Sequence, residues 1–280
     1  MAVSPSARRK RLGQHFLRHP GALRRIVAAA ALQPTDTVVE VGAGTGILTV
    51  ALAPEAGKVL AVEVDGHLIP RLKERLAEHA ATNVEVIQED ILRFDFAQAA
   101  HRFGRLKVVG NLPYSVSSPV MFRLLEHREL IILAVLMFQR EVAERIAAAA
   151  GGKEYGVLSV RVQQAALVER VMDLEEKHFQ PPPKVKSAVL KLTFPEQPPQ
   201  PVADEEVFAL VVKAAFGQRR KTLHNALRSL GLPAGAADEA MAASGVDPAL
   251  RAERLSVAAF ARLADELAAR GQLGCGRIAE

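Results

Sequence analysis

Five short apolar runs set the rhythm of the first two-thirds of the chain: DTVVEV (36–41), KVLAVEV (58–64), NVEVIQ (83–88), LKVVG (106–110) and LIILAVLMF (130–138). They are rich in β-branched residues and alternate with stretches of helical spacing such as HLIPRLKERLAEHA (67–80). Near-continuous apolar runs mark strands buried on both faces, so the pattern predicts a parallel sheet sandwiched between helices. Two later runs, ALVERVMDL (166–174) and SAVLKLTF (187–194), lack a long helical connection and are expected antiparallel at the sheet edge. The pattern then breaks at FPEQPPQPVADEE (194–206), whose four prolines read as a linker. Beyond it, EEVFALVVKAAF (205–216), RRKTLHNALRSL (219–230) and VAAFARLADELAAR (257–270) return to helical spacing. The expected fold class is α/β: a Rossmann-like sheet with its N-terminal segment over 1–198, then a small all-helical domain over 199–280.

Composition narrows this without changing it. A chain of 280 residues with 49% hydrophobic side chains can bury one large core and a smaller one. The longest apolar run, Leu130 to Phe138, is too short to cross a bilayer, and no apolar block follows the N-terminal charges. A cytoplasmic protein with no membrane association is expected. A single cysteine, Cys275, excludes an internal disulfide and a cysteine-rich cluster, and no metal is expected.

The net charge of +5 is unevenly placed: residues 1–35 hold Arg8, Arg9, Lys10, Arg11, Arg18, Arg24 and Arg25 and no acid. Such a segment reads as a phosphate footprint, a solvated tail or an organellar leader, and charge alone does not choose between them. A second basic cluster, Arg219, Arg220 and Lys221, is too charged to be packed. Phosphate contact is expected of it and of Arg8–Arg11.

The chemistry concentrates at the ends of the expected strands. VEVGAGTGILT (39–49) follows the first, and Gly42, Gly44 and Gly46 remove side chains where the backbone must turn tightly and a ligand must come close. The spacing is G-x-G-x-G rather than the G-x-G-x-x-G of dinucleotide binders, which argues against a pyrophosphate and so against NAD. At the end of the second strand Glu63 is expected to face a pocket and accept hydrogen bonds from ribose hydroxyls. At the end of the third, Asp90 can accept from the exocyclic amine of adenine, with Ile91 as an apolar wall. Any one of these acids is ordinarily a surface carboxylate; together, at consecutive strand ends, they describe a nucleoside site. A nucleoside without phosphate recognition points to S-adenosyl-L-methionine.

The fourth strand runs into NLPY (111–114). An adenine amine is a poor nucleophile because its lone pair is delocalised into the ring. Acceptors on both N–H groups favour a tetrahedral nitrogen and stabilise its developing charge. Asn111 offers a side-chain carbonyl, Leu112 a backbone carbonyl held by Pro113, and Tyr114 a ring on which a flipped base can stack.

RLGQHFL (11–17), VEVGAGTGILT, AVEVD (61–65), GNLPYSVSSP (110–119), FQREVAERI (138–146), FQPPPKVKSAVLKL (179–192), AFGQRRKTLHNAL (215–227) and RAERLS (251–256) occur in this order. In these motifs, from about Lys10 to Arg262, the chain resembles the KsgA-family small-subunit ribosomal RNA adenine N6,N6-dimethyltransferases. The resemblance implies a Rossmann-like S-adenosylmethionine-dependent methyltransferase fold. It implies that Gln14, Phe16, Leu17, Glu40, Gly42, Gly44, Glu63, Val64, Asp90, Ile91 and Asn111 hold the cofactor. It implies that Asn111, Leu112 and Tyr114 are catalytic and that Phe179 sandwiches the target base. The usual Gln-Asn is Gln14-His15 here, and the Arg before the last Asn is His224. The implied reaction places two methyl groups on each of two adjacent adenosines near the 3′ end of 16S rRNA, within the immature small ribosomal subunit, by a monomer. A matched motif starting this early argues against a leader. Two other readings stand beside it: a large-subunit adenine methyltransferase of the erythromycin-resistance type, and a non-catalytic assembly or nucleic-acid-binding factor. The QRRKTL segment and the size of the C-terminal domain favour the small-subunit enzyme over the first, and an intact NLPY favours catalysis over the second.

Overall fold

A computed structural model of the protein describes residues 15–271, Arg219 excepted. Its centre is a seven-stranded sheet of order β4-β3-β2-β5-β6-β9-β7. The strands are β2 (Thr37–Val41), β3 (Lys58–Glu63), β4 (Val84–Gln88), β5 (Leu106–Asn111), β6 (Ile131–Gln139), β7 (Leu167–Leu174) and β9 (Ser187–Thr193). A separate two-stranded pair joins β1 (Phe16–Leu17) to β8 (Phe179–Gln180). The first five sheet strands are mutually parallel, and β9 runs antiparallel to β6, with β7 beyond it at the edge. Central strands such as β2 are buried at every residue, which is why they read as mainly apolar runs without polar alternation. Helices α1 (Pro20–Ala30), α2 (Ile47–Leu52), α3 (Ile69–Glu78), α4 (Phe96–Phe103) and α5 (Ser117–Glu126) connect them.

Two strand ends differ from expectation in ways that matter below. β3 stops at Glu63, so Val64 leaves the sheet and is 54% exposed, while β5 runs on to Asn111. The register aligns the carboxyl ends: Val41 lies opposite both Val62 and Gly110, Glu63 opposite Gln88, and Asn111 opposite Met137. The order reverses between β2 and β5, the place where an open α/β sheet forms its ligand crevice. At the opposite end Lys107 of β5 is buried in an ion pair with Asp36 (2.8 Å) and donates to the Ala31 carbonyl at 2.6 Å, tying the end of α1 to the sheet.

Contacts divide the described chain differently from the single cut expected at 198/199. One unit comprises residues up to Ala143 and Val168–Phe194; the other takes Glu144–Leu167 and the residues from Pro195 onward. The first segment of the first unit ends inside α6 (Arg140–Ala147), and α7 (Val157–Ala165), a helix the sequence pattern did not predict, joins the C-terminal helices. Tyr155 and Val160 pack in one cluster with Val207, Phe208, Val211, Leu263 and Leu267. The cluster is completed from α8 (Glu205–Gly217), α9 (Leu223–Leu227), α10 (Ala236–Ser244) and α11 (Val257–Ala269). Asp204 caps α8 by accepting from Glu206 and Val207, and Ser256 caps α11 by accepting from Ala259. The helix expected over 219–230 is shorter: α9 begins only at Leu223, and Arg220 and Lys221 lie exposed in the preceding turn. Among the described residues no helix is long and apolar enough to cross a membrane, and no group of side chains could hold a metal ion.

Candidate active site

A pocket opens at the carboxyl ends of β2, β3 and β5, lined among others by Phe16, Gly42, Gly44, Glu63, Val64, Asp90, Ile91, Asn111, Leu112 and Tyr114. The glycine turn forms one wall. Gly42 and Gly44 have φ of +72° and +58°, a left-handed backbone that disfavours side chains, and a Cβ on Gly44 would come within 2.9 Å of the Phe16 ring. Glu63 stitches this turn to the end of β3: Gly44 N donates to Oε2 at 2.7 Å and Asp65 N to Oε1 at 2.8 Å. Burial holds its carboxyl above the ordinary range, opposed by these two backbone donors. At 4% exposure Glu63 is thus a brace for the turn as well as a pocket wall, where the sequence suggested only the second. Each carboxylate oxygen retains capacity for a further hydrogen bond.

Glu40 departs further from expectation. It is 1% exposed and lies beneath the turn, not in the pocket wall, because β2 is buried throughout its length. Burial pushes its carboxyl up to about 8, with the Thr49 hydroxyl opposing and Glu63 adding to the rise. Across the pocket, Asp90 accepts from Leu92 N with Oδ1 (3.0 Å), and Oδ2 makes no hydrogen bond among the described residues. Val64 and Ile91 supply apolar surface beside it. An exposed valine, an uncommitted carboxylate oxygen and Glu63 together offer an apolar face and hydrogen-bond acceptors to whatever enters the pocket.

The end of β5 carries the second half of the site. Asn111 Nδ2 donates to the His15 carbonyl at 2.7 Å. A carbonyl can only accept, so the orientation of the amide is fixed chemically and Oδ1 remains as the acceptor for a ligand. The Leu112 side chain is buried, which anchors the peptide between it and Pro113. Tyr114 OH lies 2.8 Å from Ser187 Oγ, and the His15 ring stacks on the Tyr114 ring with centroids 5.7 Å apart at 30°. Burial raises the phenol pKa, the Ser187 contact opposes the rise, and Glu176 adds to it.

Two further expected site residues stand elsewhere. Leu17 is buried in the core of the first unit, and Phe179, 5% exposed, lies opposite it across the β1–β8 pair and packs in the same cluster. Neither lines the pocket, because this short pairing turns both side chains inward. Gln14, Arg8, Arg9, Lys10, Arg11 and Arg219 lie outside the described residues. Conversely, sequence reasoning did not find Ser187 or the His15 carbonyl. Ser187 heads a strand whose other inward positions are apolar, and a main-chain acceptor leaves no mark in a side-chain pattern. Only the unusual histidine in the first motif pointed towards His15.

The contact between the Tyr114 and Ser187 hydroxyls has a measurable consequence. Tyr114→Phe is expected to destabilise the protein by about 1–2 kcal/mol in urea denaturation, because Ser187 Oγ loses its partner in a fully buried position. Adding Ser187→Ala should restore most of the loss; strictly additive effects would show that the two hydroxyls do not interact.

Comparison with known proteins converges on one family. Residues 6–269 match the family model described as ribosomal RNA adenine dimethylase. The ribosomal RNA small subunit methyltransferase A of Syntrophus aciditrophicus (strain SB) is 41% identical over 263 residues, 92% of this chain and 93% of its own. Among solved structures, a dimethyladenosine transferase from Plasmodium falciparum aligns with a TM-score of 0.80 at 29% identity, covering 92% of this chain and 99% of that one. The 23S rRNA methyltransferase ErmE aligns at 0.70 with 26% identity, over 90% and 99%.

Proposed function

We infer the function from the family to which this chain belongs, the ribosomal RNA adenine dimethylases. We propose that it transfers methyl groups from S-adenosyl-L-methionine to the N6 amines of two adjacent adenosines near the 3′ end of 16S rRNA. It does so as a cytoplasmic monomer acting on the immature small ribosomal subunit. The observation that carries the reading is the Asn111 amide, whose N–H is committed to the His15 carbonyl so that Oδ1 is held ready to accept.

The residues fit the cofactor. Glu63 takes the ribose hydroxyls, Asp90 the exocyclic amine of its adenine, and Val64 and Ile91 the faces of the ring; Gly42 and Gly44 leave backbone bare for close approach. When bound, S-adenosylmethionine supplies an electrophilic methyl on a positively charged sulfur. The target base stacks on Tyr114, and its amine donates to Asn111 Oδ1 and to the Leu112 carbonyl. Those two bonds strengthen as the nitrogen becomes tetrahedral and positive. Neither acceptor is a base, so the proton lost for each methyl gained passes to solvent.

The greater identity to a small-subunit enzyme, 41% against 26% for the large-subunit one, favours the small-subunit target. The test is incubation with undermethylated small subunits and labelled S-adenosylmethionine, followed by mapping of the modified base. Dimethyladenosine at the two adjacent positions is expected. Binding without transfer would instead make the chain an assembly factor, and label in large subunits would move the target.

Exposed Arg220 and Lys221, with Arg219, are proposed to meet rRNA phosphates. Replacing all three by Gln should lower the slope of log affinity against log salt by roughly one unit per lost contact. A slope equal to wild type would make the turn a solvated surface.

A further inference from the structure

We propose that, in the protein free of RNA, the His15 imidazole occupies the place that the target adenine takes on Tyr114, and that the base enters by exchanging with it. This rests on the functional reading above, in which Tyr114 is the stacking platform. The two rings are stacked at 5.7 Å between centroids, and both line the same pocket, so the imidazole covers a face of Tyr114 that borders the pocket. A third ring cannot enter between them, since contact on both sides requires roughly 7 Å. On this face of Tyr114 the base must therefore take the place of the imidazole.

The hold on that imidazole is suited to release. Apart from the stack, its Nδ1 lies 2.8 Å from the Pro181 carbonyl, which can only accept, so Nδ1 carries the proton. This bond lies at the pocket rim and is replaceable by water. The part of His15 that serves Asn111 is the main-chain carbonyl, which need not move when the ring swings. An adenine has two fused rings against the single ring of imidazole and overlaps Tyr114 more fully, so the exchange favours the base. Meanwhile Phe179, the other aromatic side chain expected at this place, is packed in the core. The imidazole is thus the stand-in that keeps the platform covered and oriented before RNA arrives.

Removing the ring removes the competitor while preserving the carbonyl. In single-turnover methylation of undermethylated small subunits with saturating S-adenosylmethionine, His15→Ala and His15→Asn should lower the subunit concentration for half-maximal rate by about 3- to 10-fold. This is the range of an aromatic pair's worth. The change should fall mainly on that concentration, not on the saturated rate. Cofactor affinity by calorimetry checks that the pocket of each variant is intact. A raised half-saturating concentration would mean that the imidazole helps to capture the base. A lower saturated rate alone would mean that it acts through Asn111. Either result, or no change, overturns the proposal. Wild-type protein that transfers no methyl overturns the functional reading, and this inference with it.

Discussion

Asn111→Ala is expected to retain S-adenosylmethionine and small-subunit binding while methyl transfer falls by roughly 10²–10³-fold, the range for one preorganised transition-state hydrogen bond. The amide is held in advance by its 2.7 Å bond to the His15 carbonyl, so Oδ1 meets the target amine without reorganising. Its bond matters most once the nitrogen carries positive charge, which puts the loss on the chemical step and not on binding. Asn111→Asp should not rescue activity. It keeps an acceptor but sets a carboxylate oxygen against the His15 carbonyl, where an N–H stood. The assay is single-turnover methylation with both substrates saturating, beside a binding titration; transfer by Asn111→Ala at the wild-type rate would remove Asn111 from the chemistry.

Glu63→Ala should weaken S-adenosylmethionine binding by about 10- to 150-fold, equivalent to about 1.5–3 kcal/mol for charge-assisted hydrogen bonds. The effect has a second part that the sequence did not reveal. Gly44 N and Asp65 N both donate to this carboxylate in a buried setting, so the alanine variant also leaves two backbone donors without their acceptor. A loss of stability of about 1–3 kcal/mol per donor should accompany the loss of affinity, unless water enters to replace the oxygens. Glu63→Gln, which keeps one oxygen, should lie between alanine and wild type in both measurements. Calorimetry that finds unaltered affinity for Glu63→Ala would put the ribose elsewhere in the pocket.

What the sequence disclosed about this protein follows from which interactions leave periodic marks. The sheet was legible because β2, β3, β5 and β6 are buried on both faces and are therefore mostly apolar, with few charged residues such as Glu40 and Lys107 among them. The acids Glu63 and Asp90 and the amide Asn111 were legible because consecutive parallel strands bring their ends together, whatever lies between. The β1–β8 pair is two residues long on each side, too short for any pattern, and so the burial of Leu17 and Phe179 could not be read. The hydrogen bond from Asn111 to His15 spans 96 positions and ends on main chain, which any residue offers. Prolines at 195–201 mark one passage between the two units, but nothing comparable marks the passage at 144, and α7 was overlooked.

That unmarked passage affects how the protein is made. β6 takes its place between β5 and β9, yet the chain leaves the sheet after Gln139 and does not return until Leu167. On a translating ribosome the nine residues Ile131–Gln139 emerge with only one of their two neighbours available. At typical elongation rates of 5–20 residues per second, Ser187–Thr193 follow only after roughly 3–10 s. Throughout that interval an apolar strand edge stands open, the kind of template to which other chains add. Nor can the two units be obtained by stopping synthesis at the proline stretch, since α7 would be left without Phe208, Leu263 and Leu267, the side chains that cover it. The sheet and the helical unit are thus interleaved in the order of synthesis, and neither can be completed from a single uninterrupted length of chain.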